Sequence, residues 1–74
     1  MATTATIKKQ TTKVAEQIIA KRKKAGISQE ALAEMAGIDR KTVNRIENGH
    51  FSPSMETFFR IAHALRANAK DFLK

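Results

Sequence analysis

Apolar residues recur along the first third of the chain with the spacing of an α-helix. From about Thr12, the positions Val14, Ile18 and Ala25 fall on one helical face. Gly26 directly follows Ala25, and the two lysines before Ala25 suit the last turn of a helix. The pattern therefore predicts a first helix that starts near Thr12 and stops at Gly26.

Two short helices are predicted next, with a tight turn between them. Ser28 can cap the first, which covers about residues 28–37 and ends at a glycine. Asp39 can cap the second, which covers about residues 39–48. Two helices joined by a short glycine-containing turn form a helix-turn-helix, in which the second helix enters the major groove of DNA.

The rest of the chain carries a fourth and a fifth predicted helix. Pro53, with Ser52 or Ser54 as the cap, opens the fourth helix. Its apolar stripe consists of Phe58, Ile61, Ala62 and Leu65. Asn68 and Asp71 form a capping pair for a last short helix. Because no segment alternates with period two for long enough to form a strand, we predict an all-α, compact five-helix fold.

Composition adds a strong positive charge to this picture. Fourteen Lys and Arg against seven Asp and Glu give a net charge of +7, which favours a polyanionic partner, nucleic acid before an anionic membrane. Residues 1–11 contain only Ile7 as a large hydrophobe. We therefore expect a flexible basic N-terminal arm over residues 1–11 and a DNA-binding domain over residues 12–74. The lysines of this region, which either follow a groove of DNA or merely hydrate a frayed end, are Lys8, Lys9 and Lys13.

Length and composition also exclude several functions. A chain of 74 residues leaves little room for a core and a deep substrate cleft, and no nucleophile–base pair or phosphate loop is present, so we expect no enzyme and no cofactor. The chain has no Cys, and His50 and His63 lie on different elements without a carboxylate cluster, so we expect no metal site. No apolar run approaches the ~18 residues that span a bilayer. We expect no membrane partner and a cytoplasmic location, at the nucleoid when DNA is bound.

The outer face of the second short helix carries the candidate base contacts. At about 100° per residue, inward-facing Val43, Ile46 and Glu47 send the polar residues outward. The outward set is Lys41, Asn44, Arg45 and Asn48, with Arg40 and Thr42 on the flanks. Arg and Lys suit the paired acceptors of guanine, and Asn can bond adenine bidentately. The alternative, a solvated helix face with ordinary charges, is disfavoured by the adjoining turn and the net charge.

Two opposite charges are predicted to point into the small core. Arg22 follows Ile18 by four residues on the inward stripe of the first helix, and Glu47 follows Val43 by four on its own helix. An unpaired charge there would cost several kcal/mol. We therefore predict a structural salt bridge between Arg22 and Glu47.

The joint pattern of these motifs resembles the helix-turn-helix family of phage repressors and Cro proteins, which includes restriction-modification controller proteins. The matching segments are Arg22–Gln29 (RKKAGISQ), Leu32–Gly37, Arg45–Gly49, Pro53–Phe58, Ile61–Ala62 and Asp71–Leu73. The resemblance covers about residues 14–73 and implies a lambda-repressor-like fold. It also implies a sequence-specific transcriptional regulator that binds double-stranded DNA as a dimer on a pseudo-palindromic operator.

The resemblance assigns further expected roles to individual residues. Gln29 would meet the DNA backbone or support a base-reading side chain, and the family also has an Arg and a Glu at the positions of the predicted salt bridge. The family's reading positions correspond here to Arg40, Lys41, Thr42 and Arg45. Since the family's set is Gln-rich and this one is basic, its operator sequences do not transfer. Arg66 stands where the family often has Gly, which predicts a strained or differently shaped turn.

Other contacts have two interpretations each. Asn48 and His50 either clamp the DNA backbone or belong to a plain turn. Residues that either pack in the core or form the homodimer contact, with at least one expected in the dimer, are Phe59, Phe72 and Leu73.

Two alternative functions stay open from the sequence. One is an antitoxin whose main role is toxin binding, with autoregulatory DNA binding. Contact with a toxin or with RNA polymerase stays open as a further interaction under either function. The other is a membrane-active cationic helix over residues 13–25, which the apolar stripes of the later helices argue against.

Overall fold

The computed structural model describes residues 3–73 and opens with one long helix, α1 (Thr4–Lys24). Thr3 caps this helix, since its hydroxyl accepts a hydrogen bond from the Thr6 backbone N–H at 3.1 Å. The helix starts at Thr4 rather than at the predicted Thr12. Residues 3–10 are all exposed, so the first turns have no apolar stripe from which periodicity could detect them. Independent motion of the arm 1–11 stays a prediction, and its first two residues lie outside the described part, as does residue 74 of the predicted domain.

Two short helices follow, α2 (Gln29–Ala36) and α3 (Arg40–Glu47). The Ser28 and Asp39 side chains accept the capping hydrogen bonds, at 3.0 and 3.1 Å, as their sequence positions predicted. Gly37 ends α2 with φ 71° and ψ 33°, a left-handed conformation that a residue with a Cβ adopts at a cost. This turn lets α3 leave at an angle to α2 and return to the core.

The last elements are α4 (Met55–Ala64) and a four-residue 3₁₀ turn, Ala69–Phe72. The Ser54 hydroxyl caps α4, accepting from the Thr57 N–H at 3.1 Å. A capping box of Asn68 and Asp71 opens the 3₁₀ turn, and its backbone bonds span three residues. The described chain therefore has four α-helices, not the predicted five, because the segment after the box is too short to establish the four-residue bonding of an α-helix.

A single apolar cluster joins these elements. Its buried members are Ile18, Leu32, Ala33, Ala36, Val43, Ile46, Ile61, Ala62 and Phe72. Phe72 has no exposed surface and meets the edge of the Phe58 ring at 5.3 Å between centroids. Of the two interpretations of Phe72, core packing therefore applies, because its ring is part of this core and has no surface left for a second copy.

The turn after α4 has the strained form that its sequence suggested. Arg66 is the one residue other than glycine with a positive φ (54°) in the described chain. The left-handed region costs an ordinary residue roughly 1–2 kcal/mol.

None of the described helices is long and apolar enough to span a bilayer.

Candidate nucleic-acid interface

The two sides of α3 differ sharply in chemistry. Val43 and Ile46 are buried in the core, and this orientation leaves the opposite side to polar side chains. Those that are exposed are Arg40, Lys41, Asn44, Arg45 and Asn48, while Thr42 is half-buried. The exposed side of one two-turn helix therefore presents three cationic side chains and two amides, all of them hydrogen-bond donors.

An ion pair behind α3 fixes the helix to α1. Arg22 donates to Glu47 through two nitrogens, Nε to Oε2 at 2.7 Å and Nη2 to Oε1 at 3.0 Å. Its Nη1 donates to the Ile27 carbonyl at 3.0 Å. The two side chains are 13% and 3% exposed. The predicted pair is therefore present as a bidentate contact, with no buried side-chain N or O atom lacking a partner in the described residues.

A line of amides connects this ion pair to the exposed face of α3. Gln29 Nε2 donates to Glu47 Oε1 at 3.0 Å, which leaves the Gln29 carbonyl oxygen to accept from Asn44 Nδ2 at 3.2 Å. Asn48 Nδ2 in turn donates to Asn44 Oδ1 at 3.1 Å. Since a carboxylate only accepts, it sets the direction of every bond in the line. Asn44 therefore keeps a fixed orientation, with one donor and one acceptor position left for a ligand.

Arg45 is held in a different way. Its guanidinium carbon lies 5.0 Å from the centroid of the Phe51 ring, within the range of a cation–π interaction. Phe51 follows α3 by four residues and is 37% exposed. We did not predict a role for Phe51 from the sequence. The available signal was an aromatic residue placed in a polar loop directly after α3.

The loop after α3 lies beside the start of α1. Asn48 and His50, which are exposed, line a cleft of about 420 Å³ together with Lys8. The Glu16 carboxylate lines the same cleft, so its field is not purely positive. Lys9 and Lys13 are exposed on α1 and do not line this cleft. One arm lysine is thus brought near the loop, and the other two are not.

The two histidines lie apart, as their positions in the sequence indicated. His63 is on α4 and lines a cleft with Phe59 and Arg60, whereas His50 belongs to the loop after α3. Within residues 3–73 no three His, Cys, Asp or Glu side chains cluster in a way that could hold a metal ion.

Phe59 and Leu73 are the two remaining candidates for a contact between copies of the chain. They are 50% and 65% exposed. Phe59 lines the α4 cleft, and Leu73 lines an apolar cleft of about 190 Å³ with Phe51 and Met55. The two side chains therefore border different clefts and form no common patch through them.

Two ionisable groups near α3 have shifted pKa values. The Thr42 hydroxyl and then its backbone N–H, both bonded to the carboxylate, lower the pKa of Asp39. The hydrogen bond with Glu47 raises the pKa of Arg22 above its already high value, against the opposing effect of burial. The ion pair thus keeps its positive partner throughout the neutral pH range.

Comparison with known proteins agrees with this geometry. A model of the helix-turn-helix family HTH_3 matches residues 18–72. A protein of Methanothermobacter thermautotrophicus described as an uncharacterized HTH-type transcriptional regulator is 48% identical over 44 residues, which cover 60% of this chain. The aligned part spans 64% of that relative, slightly less than two thirds of its length.

Two solved structures have the same fold. The restriction-modification controller protein C.AhdI from Aeromonas hydrophila superimposes with a TM-score of 0.81 at 29% identity, covering 84% of this chain and 94% of that one. The P22 c2 repressor, solved in complex with a synthetic operator, gives a TM-score of 0.77 at 31% identity, covering 82% and 92%. With the family model matching most of its length, the chain belongs to the helix-turn-helix family of transcription regulators, together with phage repressors and restriction-modification controllers.

Proposed function

We propose that this protein binds a pseudo-palindromic DNA operator as a homodimer, with α3 of each copy in the major groove. The observation that carries the proposal is the exposed face of α3, where cationic and amide donors lie together and the buried ion pair orients the Asn44 amide through Gln29. Pre-ordered side chains lose less conformational entropy on binding than free ones. A surface helix that binds no ligand would gain no affinity from side chains that are ordered in advance.

The proposal divides the polar residues into two classes. Lys41, Asn44 and Arg45 read bases, since they project from the groove face. Residues that contact phosphates and carry no direct sequence information are Lys8, Lys9 and His50. Arg40, Thr42 and Asn48 lie at the two ends of α3 and complete the interface, while Gln29 acts through Asn44.

The dimer is supported by the solvent-exposed apolar side chains at the C-terminal half. Phe59 and Leu73 are large, apolar and at least half exposed, and we assign them to contacts between copies. A twofold dimer reads the same half-site twice, in opposite directions. The bound DNA should therefore contain an inverted repeat.

The test is a selection from randomised duplex DNA, followed by binding measurements on the enriched sequence. We expect an inverted repeat and a steep salt dependence, in which log affinity falls by roughly 0.9 per phosphate neutralised for each unit of log salt. Arg45→Ala should lose roughly 1–3 kcal/mol at the selected site and little on random DNA. As a control, Lys9→Ala should weaken both DNAs equally.

Two results would contradict the proposal. Binding that does not change over a fivefold range of salt would exclude nucleic acid as the partner. A folded Arg45→Ala variant with an unchanged ratio of selected-site to random-DNA affinity would show that α3 does not read the sequence.

A further inference from the structure

Phe51 has two different environments. Its side chain lines the apolar cleft together with Ile46 and Met55. The Arg45 guanidinium lies over the same ring, at 5.0 Å from the centroid. Phe51 thus borders the apolar cleft and also contacts the cation.

Arg45 has no other partner that would hold it. In the described residues it makes no hydrogen bond or ion pair from its side chain, and it is exposed. A free arginine on a surface samples many rotamers and must lose them when it binds. Stacking on a ring removes part of this freedom before any ligand arrives.

The cation–π contact also suits one particular ligand. A guanidinium that is held over a ring keeps its N–H donors for other partners. A pair of these donors matches the O6 and N7 acceptors of guanine in the major groove. The contact with the ring therefore restrains the cation without using any of its N–H donors in a hydrogen bond.

We propose that Phe51 is a positioning residue for sequence recognition, which holds the Arg45 guanidinium for contact with a guanine. The inference rests on the proposed DNA-reading function of α3. It adds a residue outside that helix, which touches no base itself and whose effect passes entirely through Arg45.

A simpler role for Phe51 is to cover the apolar cleft, and two substitutions separate the roles. Phe51→Leu keeps an apolar cover over the cleft but removes the ring face. Phe51→Trp keeps an aromatic face, and tryptophan is the best cation–π partner. Positioning predicts that the Trp variant retains the function and the Leu variant loses it, whereas covering predicts no such division.

The experiment uses the full chain and duplex DNA selected from a randomised pool. The base pair whose preference disappears in Arg45→Ala is located first, and affinities are then measured by fluorescence anisotropy for the selected duplex and for the duplex changed at that pair. We expect Phe51→Leu to lower the discrimination at that pair about two- to fivefold, the range of an exposed cation–π contact. Phe51→Trp should keep it, and Met55→Leu, which changes an apolar side chain of the same cleft without removing a ring, serves as the matched control.

A double-mutant measurement tests the route through Arg45. In the Arg45→Ala background, Phe51→Leu should cause no further loss of discrimination. In the free protein, the ring should shift the NMR resonance of the Arg45 Nε–H, and this shift should vanish in Phe51→Leu but persist in Phe51→Trp.

The failures of the two proposals look different. If the wild-type protein enriches no sequence, the DNA-reading function is wrong and the inference falls with it. If the wild type enriches a sequence but Phe51→Leu discriminates fully at the Arg45 position, or weakens all DNA sequences equally, only the positioning role is overturned.

Discussion

Removal of one partner from the ion pair behind α3 should destabilise the whole domain. The Glu47 carboxylate accepts three hydrogen bonds, two from Arg22 and one from Gln29. At about 1.5 kcal/mol for each bond to a charged group, their loss in Glu47→Ala amounts to about 4.5 kcal/mol. This value lies within the roughly 3–5 kcal/mol found when a buried pair is broken.

The two single variants should not be equal. In the intact pair the Arg22 side chain is 13% exposed, and in Glu47→Ala it still has the Ile27 carbonyl as a partner. The Glu47 side chain is only 3% exposed in the intact pair, and in Arg22→Ala its carboxylate has the Gln29 amide as its remaining partner. We therefore expect Arg22→Ala to cost more than Glu47→Ala, and the apolar double variant Arg22→Met with Glu47→Leu to cost less than either.

Urea unfolding followed by circular dichroism measures these differences, and the chain supplies its own control. Arg60 and Glu56 form an exposed pair at 3.5 Å, with side chains 49% and 79% exposed, so Glu56→Ala should cost no more than about 0.5 kcal/mol. For a domain of this size, the loss of about 4.5 kcal/mol at Glu47 corresponds to a fall in Tm of at least about 18 °C. A Glu47→Ala variant as stable as Glu56→Ala would refute the reasoning.

Two further predictions concern the turns on either side of the core. Because the pKa of Asp39 is lowered in the folded state, the charged carboxylate contributes its full stability above the ordinary Asp pKa and loses it as the pH falls through the lowered value. Asp39→Asn keeps a capping side chain and should lose this part of the acid dependence of Tm. Identical profiles of Tm against pH for both proteins would contradict the role of the charge. Arg66→Gly should raise the free energy of unfolding by up to ~1 kcal/mol, since the removal of left-handed strain outweighs the greater conformational freedom of the unfolded chain. A Tm lower than that of the wild type would mean that the turn is not strained.

The sequence was most informative where one residue decides a local structure. The side chains of Ser28 and Asp39 cap helices, and Gly37, which has no side chain, forms the left-handed turn. All three positions were predicted correctly. The inward placement of Glu47 followed from helical spacing alone. These features depend on neighbours within one or two turns of the chain.

Features that depend on distance or exposure were not predictable in this way. The first turns of α1 are capped by Thr3 but exposed, so no apolar stripe marks them. The contact of Gln29 with Asn44 joins residues 15 positions apart and needs the crossing of two helices. Phe72 could equally have closed a core or a dimer by its position near the chain end, and only the packing of its ring against Phe58 distinguishes the two.

The shortness of α3 has a consequence for genetics. The helix has eight residues, and isolated helices of fewer than ~12–15 residues are marginal in water. Its outer face therefore exists only while the domain is folded, and the apparent affinity for any binding site is the product of the folded fraction and the intrinsic affinity. Substitutions at Ile18 or Leu32, far from any ligand, would then score as loss of regulation in a cell, most strongly at high temperature. Conversely, a bound ligand would suppress such alleles, because it stabilises the folded state by mass action.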